Sequence, residues 1–456
     1  MHDENTRLTQ QSAQTPRTID GTWHGTVDFD VPVPIVLHID GYATQLSIVA
    51  DFPQLRSAGL PLRETSFIEG TLRFTTRSLG DYAGHLCADG STIEGFFSKE
   101  ARRYALTLHF GAAPPVAPAR PQTPQAPFGY DVEHVHVDHA AANCRLAGTL
   151  TMPSGSAARA VVLLITGSGA MDRDETVFGH KPFWVLADHL SRHGYAVLRL
   201  DDRGVGESSG ARVAITVADE ADDMVVALDF LCRHRRLQGA PLGVVGHSMG
   251  GVIAMALAAR QPDLAFIVTL GSPAGFLGDA FAERECAALQ TSGADPDAVV
   301  RHGEFTRALY RELGNRAVDE PIDAAQIAAL AERSGVTGNG TPPSEEWIAR
   351  FNQPWFRSAC RQDPAALLQH VRAPLLAING SLDVQALAKP NLAAIRNVLA
   401  ATGHADFETV ELPGLNHLLQ TCPTGAVYEY PAIEETFAPL ALETVRAWLD
   451  RRFRPR

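Results

Sequence analysis

Three features are scarce in this chain of 456 residues, and each scarcity closes a class of function. Basic charge is one: 39 Lys and Arg face 52 Asp and Glu, a formal net charge of −13. That balance argues against nucleic acid or an anionic membrane surface as a partner. Long apolar runs are another, since no stretch reaches the roughly 20 residues of a bilayer-spanning helix. Paired cysteines are the third. Cys87, Cys144, Cys232, Cys286, Cys360 and Cys422 are scattered, without C-x-x-C or metal-ligand spacing, so they read as free thiols. Cys232 is expected to be buried, on the apolar face of a predicted helix. The N-terminus, Met1 to Asp20, lacks the apolar centre of a secretion signal. That favours the cytoplasm, with the periplasm or secretion as the alternative if a signal has been removed.

What is present fits a globular protein: 45% apolar and 20% charged residues, on a chain too long for one core. After the polar tail of residues 1–20, residues 21–111 alternate apolar and polar positions in short runs such as Thr22–Phe29, Ile35–Ile39, Ala43–Val49, Thr71–Thr76 and Tyr104–Phe110. These predict an all-β domain, a sandwich or a barrel. Its aromatics Trp23, Phe52, Phe67, Phe74, Phe96 and Phe97 are expected in the core. Residues 112–129 are dense in proline and predict an extended linker.

From Tyr130 to the end, strand and helix patterns alternate, which predicts an α/β domain over 130–456 with a mostly parallel sheet. The interval between Gly271 and Leu375 breaks the alternation with about a hundred residues of helical pattern. It predicts a helical cap, at about 274–370, above one end of the sheet.

The chemistry concentrates in Val244-Val245-Gly246-His247-Ser248-Met249-Gly250-Gly251. An apolar strand pattern, G-x-S-x-G and a small-residue helix pattern in succession predict a tight turn with Ser248 at its apex. The Met249 N–H, at a helix N-terminus, is a candidate oxyanion donor. A serine needs a base held by a carboxylate. Asp383 ends one later strand pattern, and His417 follows the next. Asp363, His370 and His404 are rivals, but each precedes a strand and falls at the far edge of the sheet. The second oxyanion donor is expected from Thr166-Gly167-Ser168-Gly169: the Ser168 N–H, with Gly167 as the near alternative.

Other loops read as support. An Asp202–Arg203 network is expected to brace the oxyanion loop, and Asp172-Arg173-Asp174-Glu175 reads as a solvated turn. His134, His136 and His139 suggest a metal by spacing, but no carboxylate motif completes a site and an exposed strand face is the better reading.

These segments together resemble the α/β-hydrolase superfamily, and within it the bacterial EstD-like serine carboxylesterases with an N-terminal β-domain. Gly21-Thr22-Trp23-His24-Gly25, Thr166-Gly167-Ser168-Gly169, Asp172-Arg173-Asp174-Glu175, Gly179-His180-Lys181-Pro182-Phe183 and Asp202-Arg203-Gly204-Val205-Gly206 carry the likeness. So do the three segments ending in or holding Ser248, Asp383 and His417. The resemblance implies ester hydrolysis through an acyl-enzyme, with no metal or cofactor. A small-molecule ester is the expected partner, and a dimer is possible. The same constellation would serve a thioesterase, an amidase or peptidase, or an acyltransferase or cyclase. A non-catalytic binding scaffold is the remaining alternative. Ala170-Met171 and Ser358-Ala359-Cys360 depart from the family pattern near the presumed acyl pocket.

Overall fold

The computed structural model describes residues 19–29, 32–42, 45–52, 57–76, 80–99, 102–111, 120–291, 293–317, 320–335 and 345–454. Most of the polar tail, linker residues 112–119, Ala43 and Ser344 lie outside them. The chain divides into two compact units, residues 1–117 and 118–456.

The first unit is one antiparallel meander: β1 (Gly21–Val27), β2 (Val33–Tyr42), β3 (Gln45–Phe52), β4 (Ser57–Pro61), β5 (Arg63–Ile68), β6 (Thr71–Thr76), β7 (Gly80–Leu86), β8 (Thr92–Lys99) and β9 (Arg102–Phe110). β1 pairs with β9, from Trp23 opposite Phe110 to Val27 opposite Leu106. The strands at the ends of the sheet order, β4 and β5, are consecutive in the chain. Between them Leu62 donates its N–H to Ile48 O at 2.9 Å, and Thr65 Oγ1 bonds Leu46 O at 2.5 Å. These contacts bring β5 against β3, so the two ends of the sheet order approach each other as they do in a barrel.

Alternation fills its interior. Trp23, Phe74, Tyr82 and Phe97 are fully buried, with Phe74 stacked on Tyr82 at 4.7 Å. Phe96 departs from expectation. Neighbours on a strand face opposite ways, so with Phe97 inside, Phe96 is exposed and lies under the Arg103 guanidinium at 4.5 Å.

The second unit opens with the antiparallel pair β10 (Tyr130–His139) and β11 (Cys144–Pro153). Then come β12 (Val161–Ile165), α1 (Pro182–Arg192), β13 (Ala196–Leu200), α2 (Val217–Arg233), β14 (Leu242–His247), α3 (Met249–Arg260) and β15 (Phe266–Leu270). A helical insertion follows: α4 (Leu277–Thr291), α5 (Pro296–Asn315), α6 (Ala324–Arg333), α7 (Glu345–Phe351), α8 (Pro354–Cys360) and α9 (Pro364–Leu368). β16 (Leu375–Gly380), α10 (Ala388–Ala401), β17 (Phe407–Leu412) and α11 (Pro439–Arg452) complete it. The sheet order is β10-β11-β13-β12-β14-β15-β16-β17, parallel from β13 onward.

Strands such as Val-Val-Leu-Leu-Ile and Phe-Ile-Val-Thr-Leu are buried along their whole length because helices cover both faces. Leu163, Val244, Ile267 and Leu375 face α2, α3 and α10. Val162, Val245, Val268 and Leu376 face α1 and α11. The insertion has an aromatic centre of its own, with Phe281 stacked on Phe356 at 5.6 Å and Tyr310 at 5.7 Å from Phe356. It is tied to α2 by Trp355 Nε1 on Glu220 Oε2 at 2.8 Å and by the Val217 N–H on Ser358 Oγ at 3.0 Å.

Two expectations need correction. Cys232 is exposed: the buried stripe of α2 runs through Val217, Ala221, Met224, Leu228 and Leu231, and Cys232 falls just past its edge. The linker does not extend to Gly129 as a free connector. Arg120 donates to the carbonyls of Ile433, Phe178 and Pro431 at 2.7–2.9 Å. Gln122 bonds both the N–H and the carbonyl of Phe437. Residues from Arg120 onward are therefore packed as part of the second unit.

Candidate active site

The turn after β14 places Ser248. Its backbone sits at φ 53° and ψ −119°, a strained conformation for a side-chain-bearing residue that costs about 1–3 kcal/mol. The neighbours make the turn possible. A Cβ on Gly246 would overlap the Gly250 carbonyl, and a Cβ on Gly250 would overlap the carbonyls of Ile165 and Thr166. The Ser248 N–H is anchored on Leu270 O of β15 at 2.8 Å. Its hydroxyl is not spent on capping α3, and the Met249 N–H at the start of that helix has no acceptor inside it.

Asp383 lies just beyond the C-terminal end of β16, with its side chain fully buried. Its Oδ1 accepts the N–H groups of Gln385 and Ala386, both at 2.8 Å, and its Oδ2 meets His417 Nδ1 at 2.9 Å. A carboxylate so held fixes the imidazole with Nδ1 protonated and leaves Nε2 free to act as a base. His417 follows β17 on a loop shaped by Asn416, whose Oδ1 accepts the N–H groups of Leu418 and Gln420 at 3.0 Å. Behind that loop stands His180, its Nε2 3.0 Å from Gln420 Nε2 and 2.9 Å from Tyr430 O. Burial lowers the pKa of His180 to about 4, so the ring stays neutral. Ser248 and His417 are not hydrogen-bonded to each other in this structure. The residue before Ser248 is bonded to the His417 loop, His247 Nε2 lying 2.9 Å from the carbonyl oxygen of His417.

The rivals are engaged elsewhere: Asp363 caps α9 through the Ala366 N–H, and His404 Nε2 bonds Ala373 O.

The loop after β12 separates the two oxyanion candidates. The Gly167 N–H is taken by Glu175 Oε1 at 2.7 Å, which removes Gly167 as a donor and leaves Ser168. Asp202 does brace this loop, accepting Thr166 Oγ1 at 2.9 Å and the Met171 N–H at 3.0 Å. Its cation differs from the expected one. Arg212 lies 3.3 Å from Asp202 and 3.1 Å from Glu220, and also bonds the Gly169 carbonyl. Arg203 instead forks onto Asp223, at 2.7 and 3.1 Å.

The segment Asp172 to Glu175 is not a solvated turn. Asp174 and Glu175 are buried, Asp174 pairs with Arg199 and Lys181, and Arg173 pairs with Asp201 at 2.5 Å. These partners arrive from other strands and loops, which is why local composition misleads. Glu175 and His247 are the residues that sequence reasoning passed over, although both lie inside motifs it quoted. Their carboxylate and Nδ1 are 2.9 Å apart.

Among the described residues, His139, Cys144 and Asp223 form the one cluster whose ligand atoms lie close enough to hold a metal, within 4.8 Å of one another. Its carboxylate is already shared by His139 at 2.7 Å and by Arg203. His134 and His136 are exposed on β10, and His139 is buried. No helix among the described residues is long and apolar enough to cross a membrane.

An antiparallel pair leading a parallel sheet, a tight turn carrying Ser248 after the central strand, and Asp383 and His417 beyond the two last strands give the second unit the architecture of an α/β-hydrolase fold. Residues 181–309 match the family model of serine aminopeptidases, S33, a span that holds Ser248 but neither Asp383 nor His417. The chain is similar to esterase EstD of Thermotoga maritima, 24% identical over 274 residues, which are 60% of this chain and 58% of that one. The match thus spans less than two thirds of the relative's length. A shorter stretch is 39% identical over 120 residues to the dihydrolipoyllysine-residue acetyltransferase component of an acetoin cleaving system from Cupriavidus necator, covering 26% of this chain and 28% of that one. Among solved structures, an esterase of Pyrococcus furiosus aligns over 74% of this chain and 99% of its own, at a TM-score of 0.44 and 15% identity.

Proposed function

We propose that the second unit is a serine hydrolase that cleaves carboxylic esters of small to medium acyl groups through an acyl-enzyme. The observation that carries this is the junction of three loops. Ser248 stands on a strained turn with its hydroxyl unspent, Asp383 holds His417 at 2.9 Å, and the His417 carbonyl is bonded to the residue preceding Ser248.

In this reading His417 Nε2 takes the proton of Ser248 as its Oγ bonds to the ester carbonyl carbon. The developing oxyanion is met by the N–H groups of Met249 and Ser168. Collapse breaks the ester C–O bond, and His417 returns the proton to the leaving alcohol. Water then attacks the acyl-serine by the same route and releases the acid. Asp383 keeps the imidazole in its working tautomer and balances its charge while the proton is held. The helical insertion, α4 to α9, serves as the cap that excludes water and shapes the acyl pocket.

The test is hydrolysis of a short-chain p-nitrophenyl ester together with labelling by a fluorophosphonate. Ser248→Ala is expected to abolish both, with a loss of at least about 10⁴-fold in kcat. Undiminished turnover in that variant overturns the reading. A second reading, cleavage of amides, is favoured by the aminopeptidase family match over residues 181–309. It predicts that amino-acid p-nitroanilides outrun esters in the same assay.

A further inference from the structure

We infer that His247 is a standing imidazolium and a positioning residue: paired with Glu175, it locks the oxyanion loop, the nucleophile turn and the His417 loop into one register. The positioning role rests on the hydrolase reading above; the charge does not.

Both ring nitrogens of His247 face oxygen. Nε2 lies 2.9 Å from the main-chain carbonyl of His417, and a carbonyl can only accept, so Nε2 carries a proton. Nδ1 lies 2.9 Å from Glu175 Oε1. That same oxygen accepts the Gly167 N–H at 2.7 Å, as an ionised carboxylate oxygen does. A proton on each nitrogen makes the ring a cation.

The pair is closed off from water, with Glu175 3% and His247 7% exposed. The titratable groups around the ring are Glu175 from the loop after β12, Asp383 from the loop after β16 and His417 after β17, whose ring centroid is 4.8 Å away. Burial opposes the charge. The Glu175 carboxylate, the two hydrogen bonds and the more distant Asp383 outweigh it and raise the pKa above the ordinary histidine value.

The geometry shows what the charge accomplishes. Glu175 holds the oxyanion loop at the Gly167 N–H, the residue before the candidate donor Ser168. The opposite side of the ring fixes the His417 carbonyl. One ion pair therefore joins residues 72 and 170 positions apart on either side of a single imidazole. Glu175 itself is held at φ 53°, a strained backbone kept where the surrounding structure over-determines it. A neutral ring could serve only one of the two acceptors, and either the oxyanion loop or the base loop would be released.

The experiment has two arms on the full chain. In the first, ¹⁵N-histidine NMR at pH 7.5 is expected to show one imidazole with both nitrogens protonated. That signal disappears in His247→Gln, which assigns it, and becomes singly protonated in Glu175→Gln. A singly protonated His247 in the wild type at pH 7.5 overturns the proposal, whatever the chain hydrolyses.

The second arm is the pH profile on a p-nitrophenyl ester. Gln at position 175 keeps the volume but puts a single neutral atom where Oε1 stood: as oxygen it still accepts the Gly167 N–H, as nitrogen it donates to a neutral ring, so the charge is lost together with one of the two bonds. The expected result is a fall in kcat of about 10–100-fold with KM nearly unchanged. Loss of the wild-type alkaline limb should accompany it. A limb that stays in place in Glu175→Gln overturns the positioning role. A wild type inactive on every ester and amide, with the doubly protonated ring present, fails the hydrolase reading and leaves the ion pair standing.

Discussion

The interiors of the two units differ in kind. Among the described residues, the barrel of the first unit buries apolar and aromatic side chains only, from Ile19 to Leu108. Every buried polar or charged side chain, from His139 to Thr436, belongs to the second unit. Burying such groups is costly unless each finds a partner. In the second unit several such pairs sit at the loop ends where strands β12, β13, β14, β16 and β17 deliver the candidate site. Asp383 with His417, Glu175 with His247, and Asp202 with Thr166 each tie one such loop to another. The barrel spends its interior on stability; the second unit spends part of its own on geometry.

That contrast can be broken most sharply at Asp383. Asp383→Asn preserves the volume and the acceptor for Gln385 and Ala386, so the fold is expected to survive, as read by circular dichroism. Ester turnover is expected to drop by about 10³–10⁴-fold, because the amide no longer selects the tautomer of His417. A variant that keeps a tenth of wild-type kcat removes Asp383 from the relay.

The converse test is in the barrel. Trp23→Ala removes a fully buried indole that donates to Ile19 O at 2.8 Å and meets Phe110 edge-on. The expected cost is about 3–5 kcal/mol to the first unit, seen in its own unfolding transition, with kcat of the remaining folded enzyme unchanged. A large fall in kcat would place the barrel in the chemistry.

Truncation sharpens the boundary between the two interiors. A chain lacking residues 1–117 retains Arg120 and Gln122 with their bonds to the 431–437 segment, and one lacking residues 1–128 does not. Losing several hydrogen bonds at about 0.5–1.5 kcal/mol each should lower the melting temperature of the shorter chain by several degrees relative to the longer. Equal melting temperatures would show that the clamp contributes nothing.

The same contrast explains what could be read from the chain beforehand. Strands and helices that alternate around one apolar core announce themselves by period. The strand Thr71–Thr76 has the limits its pattern predicts, and the helical insertion falls in the interval that breaks the strand–helix alternation. The serine turn is legible because its glycines have no other use, and Asp383 and His417 because both end strands at the same edge of the sheet. The ion-pair networks are not legible. A run such as Asp172-Arg173-Asp174-Glu175 looks like a solvated loop until partners such as His247, 72 residues away, are brought against it. Arg212 rather than Arg203 reaches Asp202 for the same reason. No local spacing states which of two nearby guanidiniums a fold will turn inward.

The smallest effect concerns the network under the oxyanion loop, where two carboxylates share one guanidinium. Burial raises Asp202 to about 6 and Glu220 to about 7. Unfolded, these groups would titrate near about 3.9 and 4.3. The folded chain therefore holds protons that the unfolded chain releases. The stability this linkage contributes is complete below about pH 4 and is lost as the pH rises through about 7. Glu220→Gln removes the titration while leaving an acceptor for Trp355 Nε1, and Arg212 keeps Asp202. The fall in melting temperature between pH 5 and pH 8 should accordingly be shallower in Glu220→Gln than in the wild type, with the two nearest in stability at the acid end. Parallel curves would mean that Glu220 stays ionised against Arg212 throughout, and that the polar interior around this loop is fully paired at every pH.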